Sequence, residues 1–317
     1  FGVTTAGTFE HGRSVLLLPT DPDDAARFTD VKSKLLAARG LRPQPARDDK
    51  VGSAWNGLAV TALAEASVAL DRPEFLAAAI ECARGLIDLH WRDGRLRRAS
   101  LGGRVGDSVA ILEDYAAVAT GLLTLYQLTG SWLPEAQGLL DVALTHFTDP
   151  ERPGRWYDTA DDAEQLMVRP SDPVDGATPS GASLIAEALQ LAAHLTGKET
   201  YAAAAEPTLA SATPILAGAP RGGGHWLAVA VARIRGPIQI AVACNPSSSE
   251  LLTAARTLAP GGAVVIGGAV DSSELLQGRG RIDGADAAYV CRGKVCDLPV
   301  TTVEDLTAAL GAPGRDG

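Results

Sequence analysis

Three short polar clusters carry the residue types from which acid–base chemistry is built. The first is Asp48-Asp49-Lys50 followed by Ser53-Ala54-Trp55-Asn56-Gly57, the second Glu113-Asp114-Tyr115, and the third Asp175-Gly176-Ala177-Thr178-Pro179-Ser180-Gly181. Breaking a glycosidic bond needs one carboxylic acid to protonate the leaving oxygen and a second carboxylate to activate water or attack. Asp49, Glu113, Asp114 and Asp175 are the carboxylates available for that work. Trp55 and Tyr115 offer ring faces for sugar stacking, Asn56 an amide and Ser180 a hydroxyl for binding. The plainer alternative makes Asp48 and Asp49 solvated loop charges, and Asp175 and Ser180 turn or N-cap residues.

The elements that must hold these clusters read as helices. Trp55, Leu58, Ala59, Ala62, Leu63, Ala66 and Leu70 fall on one helical stripe, and Leu76, Ala79, Ile80, Ala83 and Ile87 on the next. Two further pairs of stripes follow, from Val109 to Phe147 and from Leu184 to Leu216. Links within a pair are short (Asp71-Arg72-Pro73, Thr129-Gly130-Ser131, Thr196-Gly197-Lys198), whereas links between pairs, near 91–106 and 148–177, are long. Short links make antiparallel helical hairpins, so every long loop emerges on one face, and functional residues concentrate on such loops. The clusters recur with a period of about 60 residues, longer than most solenoid units. The fold expected is mainly α, an (α/α) six-hairpin-type toroid over residues 1–235 that is incomplete at its N-terminus, with the three clusters meeting at its mouth. Residues 236–317 change texture. Ile238–Ala243, Ala263–Ile266 and Ala287–Val290 read as strands with helices between and after them, a small α/β subdomain whose first two strands are parallel.

Composition narrows the function classes. The net charge of −10 argues against nucleic acid or an anionic membrane surface, since phosphate binding needs a concentrated basic patch. No stretch is apolar enough for a membrane span and no signal-peptide layout opens the chain, so a cytoplasmic protein is expected. His90 and His146 close second helices, where a histidine complements the helix dipole, although an acid–base role is also open to them. No histidine spacing suits a metal, and the glycines at 222–224 and 261–262 follow no nucleotide-binding pattern, so neither metal nor cofactor is expected. Cys291 and Cys296 span a tight hairpin and form a weak redox candidate; a reducing compartment favours two free thiols there.

The runs Phe1-Gly2-Val3-Thr4, Gly7-Thr8-Phe9-Glu10, Asp48-Asp49-Lys50-Val51, Ser53-Ala54-Trp55-Asn56-Gly57-Leu58, Leu112-Glu113-Asp114-Tyr115-Ala116, Ala177-Thr178-Pro179-Ser180-Gly181 after Asp175, and Cys291 and Cys296 ahead of Pro299 resemble the spermatogenesis-associated protein 20-like family. Its bacterial members are labelled thioredoxin-domain-containing or YyaL-type proteins. The chain departs from that family's pattern at Gly176 and Ala182, where the family has asparagine. The resemblance implies a longer polypeptide with an upstream thioredoxin-like domain as partner, and a toroid similar to those of sugar epimerases and glycosidases. It also implies that this chain lacks the thioredoxin-like domain and the first hairpins.

Two functions compete on this reading. One is a carbohydrate-active enzyme, a glycoside hydrolase or sugar epimerase, using the carboxylates at the toroid mouth on a sugar or glycan. The other is a non-catalytic scaffold that binds a glycan or protein and leaves redox chemistry to the thioredoxin-like domain.

Overall fold

Asp24 opens the first helix: its carboxylate accepts a hydrogen bond from the Arg27 N–H at 2.9 Å, the capping role short acidic residues fill at helix starts. That helix, α1 (Ala25–Gly40), buries none of its residues, and the Phe28 ring meets the Phe1 ring at 5.8 Å. It belongs to the first of two compact units, Phe1–Asp48; the second begins at Asp49. The computed structural model describes residues 1–293 and 295–311.

The second unit is built from three helical hairpins. They are α2 (Ser53–Ala69) with α3 (Pro73–His90), α4 (Leu112–Thr129) with α5 (Leu133–His146), and α6 (Gly181–Thr196) with α7 (Glu199–Ser211). Gly130 and Gly197 end α4 and α6 in the left-handed conformation, with φ of 72° and 66°, which lets each turn close in two or three residues. The first helices α2, α4 and α6 stand side by side and the second helices back them. Glycine sets the spacing. A Cβ on Gly57 would fall 2.6 Å from the Ala117 and Val118 backbone, and one on Gly181 would fall 3.0 Å from the Glu113 nitrogen. Every residue of α4 from Asp114 to Tyr126 is buried, as a helix surrounded on all sides must be. This is the α/α toroid arrangement expected from the hairpin pattern.

On α2 the packed face differs from the stripe read off the sequence. Ser53, Ala54, Gly57, Val60, Ala64 and Ser67 are buried, whereas Trp55 is 73% exposed. Close approach to α4 selects the smallest side chains rather than the most apolar ones.

The long connection after α3 is also more ordered than a loop. β1 (Val51–Gly52), β4 (Ala99–Leu101) and β5 (Arg104–Val105) form one sheet, and β2 (Trp91–Arg92) pairs with β3 (Arg95–Leu96). After α7 come α8 (Thr213–Gly218) and α9 (Gly224–Ile234), then β6 (Ile238–Ala243), α10 (Glu250–Leu258), β7 (Val264–Gly268), β8 (Ala287–Arg292), β9 (Val295–Cys296) and α11 (Val303–Gly311). The sheet order is β7-β6-β8-β9, with β6 and β7 parallel. Strand alternation divides β6 between two cores. Ile238, Ile240 and Val242 join Leu252 and Leu306 under α10 and α11, while Ala241 and Ala243 join the hairpin core with Val264 and Ile266. Burial on both faces is why β6 is apolar without a break from Ile240 to Ala243. The sheet therefore shares a compact unit with the hairpins. Among the described residues, no helix is long and apolar enough to cross a membrane.

Candidate functional site: the first-helix mouth and the cleft beneath the sheet

The helix packing brings the N-termini of α2, α4 and α6 together. Asp114 accepts hydrogen bonds from the Ala54 N–H at 2.9 Å and the Ile111 N–H at 2.9 Å, and it pairs with Arg98 at 3.0 Å. It is 2% exposed, and burial pushes its carboxyl up to about 6 against the pull of those partners. Glu113 takes the other arm of Arg98, at 3.0 Å. Asp175 accepts from the Ser180 N–H, the Ser183 hydroxyl, and the His225 and Trp226 N–H groups at the start of α9. Burial works to raise Asp175, but these four donors outweigh it and hold its carboxyl below the ordinary range. Ser180 is the N-cap of α6, accepting from the Ser183 N–H at 3.1 Å and donating to the Pro173 carbonyl. Asp49 is exposed just ahead of β1.

Several residues picked for binding have other employment. Tyr115 is 1% exposed, too deep to stack on a ligand. Its ring lies 5.2 Å from Phe147 and 6.5 Å from Trp91, and its hydroxyl accepts from the Leu96 N–H at 2.9 Å. The Asn56 amide donates to the Gly52 carbonyl at 2.8 Å, one turn back on its own helix. Trp55 alone keeps an open ring face. Cys291 and Cys296 stand opposite each other on β8 and β9 and are joined in a disulfide, not free as a reducing compartment would favour.

The two helix-closing histidines differ. His90 is buried between Ser53 Oγ, 2.7 Å from Nδ1, and Ser100 Oγ, 2.9 Å from Nε2. The Ser53 hydroxyl gives its single proton to the Arg97 carbonyl at 2.6 Å, so Nδ1–H must be the donor to Ser53. Burial lowers the His90 pKa and so favours the neutral ring, in which Nε2 accepts from the Ser100 hydroxyl. The result is a clasp joining the start of α2, the end of α3 and β4. His146 meets Asp161 at 2.7 Å and lies 3.8 Å from Asp162. These three form the one group of potential metal ligands among the described residues, but Asp162 is also held by Arg95.

Beneath the sheet, on the side of the first helices away from α3 and α5, runs a cleft of about 440 Å3. Thr61 and Glu65 of α2, Thr120, Thr124 and Gln127 of α4, and Glu187 of α6 line it, under Arg256 and the 259–263 turn. Glu65 stands exposed at the rim, where the surrounding walls and then the negative charge of Glu187 raise its carboxyl. Glu187 lies 3.3 Å from His225 Nε2. Burial opposes protonation of His225, but Glu187 and Asp175 outweigh it and raise its pKa. An adjoining cavity of about 420 Å3 shares Glu187 and holds His194, whose pKa burial and Arg233 lower to about 4.

None of Glu65, Glu187, His225 or Arg256 was among the residues picked from the sequence. The available signal was a polar stripe at helical spacing inside otherwise apolar helices: Thr61 and Glu65, then Thr120, Thr124 and Gln127.

Fold and cleft together define an α/α toroid arrangement with an acidic, hydroxyl-lined cleft. The chain is homologous to spermatogenesis-associated protein 20. It is 29% identical to the Mus musculus protein over 299 residues, which is 87% of this chain and 38% of the relative. It is 28% identical to an uncharacterised Caenorhabditis elegans protein, covering 87% of this chain and 40% of that one. The chain thus spans about two fifths of the curated relatives it matches. No family model matches it. Among solved structures, cellobiose 2-epimerase from Spirochaeta thermophila aligns over 62% of this chain and 56% of its own, at 16% identity and a TM-score of 0.45. A family 76 glycoside hydrolase, an α-mannanase from Bacteroides thetaiotaomicron, aligns over 59% and 55%, at 14% identity and a TM-score of 0.43.

Proposed function

We propose that the second unit binds a sugar in the cleft beneath the sheet and carries out acid–base chemistry on it. The observation that supports this reading is the pairing of two carboxylates on one cleft in unequal surroundings. Glu65 is raised by the walls around it and by Glu187, while Glu187 lies 3.3 Å from His225, whose pKa that contact raises. Unequal carboxylates separate the roles of proton donor and proton acceptor, as glycosidic or epimerising chemistry requires. The Thr61 and Thr124 hydroxyls donate to carbonyls of their own helices at 3.3 and 2.9 Å and keep lone pairs that can accept from a polyhydroxylated ligand, while the Gln127 amide is held by Val265 and Leu123. On this reading Asp114 and Asp175 are positioning residues, because their oxygens already serve helix starts.

A second location has its own observation. Glu113, Asp158 and Asp172 share a groove of about 270 Å3 at the mouth, and Asp158 is raised by burial first and by its acidic neighbours. That version keeps the chemistry where the long loops emerge, with Glu113 in the role expected of it. The scaffold reading retains binding without turnover and assigns redox work to an upstream thioredoxin-like domain.

Calorimetric titration with a panel of mono- and disaccharides, paired with product analysis, tests all three. Binding lost in Glu65→Gln and Glu187→Gln but kept in Glu113→Gln supports the cleft, and the reverse pattern supports the mouth. Binding without turnover in any condition favours the scaffold. A folded protein that binds no saccharide overturns the sugar reading.

A further inference from the structure

The far end of the cleft has a different chemistry from the carboxylate end. Arg256 of α10 reaches across the C-terminus of α4, where Nη2 donates to the Gln127 carbonyl at 3.1 Å and the Leu128 carbonyl at 3.2 Å. Capping two carbonyls that a helix leaves without partners explains one of the guanidinium's three nitrogens. It does not explain the rest. Arg256 Nε is buried without an acceptor, and among the described residues no carboxylate lies within ion-pairing distance. Burial lowers the guanidinium's pKa, and the one group that acts the other way is the Cys244 thiol, not Glu65 or Glu187. A cation partly withdrawn from water with neither counter-charge nor full hydrogen bonding is costly, so it marks a place where an anion would be welcome.

A second orphan lies on the same wall. Thr120 is 3% exposed, lines the cleft, and its Oγ1 has no partner. Gly181 of α6 abuts Leu112 and Glu113 of α4, so counting along the two helices puts Glu187 level with the Thr120 turn. Gln127, where Arg256 sits, is two turns further on, roughly 10 Å at 1.5 Å per residue. A ligand can therefore place negative charge at Arg256 while its neutral part faces Glu187 and Thr120.

We propose that the cleft takes an anionic sugar, one bearing a carboxylate or a phosphate, with the anionic group seated against the part of the Arg256 guanidinium that lines the cleft. The proposal rests on the reading of this cleft as a sugar site and names the substrate class. Calorimetric titration of the whole chain with matched pairs tests it: glucose against glucuronate and glucose 6-phosphate, and galactose against galacturonate, with inorganic phosphate as control. The expected result is at least tenfold tighter binding of the anionic member, narrowing as salt rises, and Arg256→Gln reducing it to the level of the neutral sugar while Arg256→Lys keeps part of the gain. Circular dichroism establishes that each variant is folded, and the salt series on the unaltered chain stands even where a variant is not. The carboxylate and phosphate arms distinguish a uronate from a sugar phosphate. Equal affinity for neutral and anionic sugars overturns this proposal and leaves the sugar reading standing. An anionic preference that survives in folded Arg256→Gln overturns it too, as does inorganic phosphate binding as tightly as the sugar anions. A chain that binds no sugar of either kind overturns the underlying reading and this proposal together.

Discussion

The carboxylate of Asp114 on α4 accepts the backbone N–H of Ala54 on α2 at 2.9 Å, a bond across 60 residues of sequence that fixes the starts of two first helices against each other. The same carboxylate accepts the Ile111 N–H and pairs with Arg98. Asp114→Ala leaves two N–H donors without their acceptor and Arg98 with Glu113 alone. Urea unfolding should record a loss of about 3 kcal/mol.

The titration of Asp114 also has a predictable sign. Its carboxyl sits at about 6 in the folded protein, above the ordinary aspartate value, so the native state holds the proton more tightly than the unfolded chain. Its contribution to stability therefore falls as pH rises from about 4 through 6. Folding stability measured across that window should slope less in Asp114→Asn than in the parent.

Asp175 should behave in the opposite sense. Its folded pKa is depressed by four donors, so its stabilisation is present above the unfolded value of about 3.9 and disappears as pH falls through the folded one. Asp175→Asn should cost about 2 kcal/mol at neutral pH and less at acid pH, read from thermal melts at both. The loss should centre on α9, whose first N–H groups it holds, and hydrogen exchange of His225 and Trp226 would report it.

Two glycines offer a matched comparison. A methyl on Gly57 would come within 2.6 Å of the α4 backbone, where nothing can move aside, so Gly57→Ala should destabilise the protein by several kcal/mol or prevent folding. Gly85, on α3, has nothing within 4 Å of its added methyl. Gly85→Ala should stabilise by about 0.5–1 kcal/mol through backbone entropy. Denaturant midpoints of the two variants should move in opposite directions.

The bond between Cys291 and Cys296 closes a very short loop, so its entropic contribution is on the order of 2 kcal/mol. Reduction should lower the melting temperature by a few degrees. In urea without reductant, two thiols (Cys82 and Cys244) should titrate, rising to four after reduction. Four without reductant would contradict the pairing.

The hairpins were legible because their signals are local. Apolar recurrence at helical spacing, short turns ending in Gly130 and Gly197, and long links between pairs all lie within a few residues of the elements they specify. The clusters at Asp114, Asp175 and Ser180 were legible as special positions for the same reason, and the N-cap alternative weighed for Ser180 is the geometry observed. Their roles were not legible. Asp175 could serve catalysis or a helix start until His225, 50 residues away, was seen donating to it.

The tertiary structure alone decided which carboxylates face a cleft. No motif or spacing in the sequence singles out Glu65, Glu187 or Arg256. They share a cleft because glycine contacts draw α2, α4 and α6 into one wall and the sheet brings α10 over it. Periodicity reports which residues share a face of one helix. It carries no information about the neighbour that face will meet, because that depends on contacts between residues far apart in the chain, and those contacts decide whether a side chain meets water, a partner or a ligand.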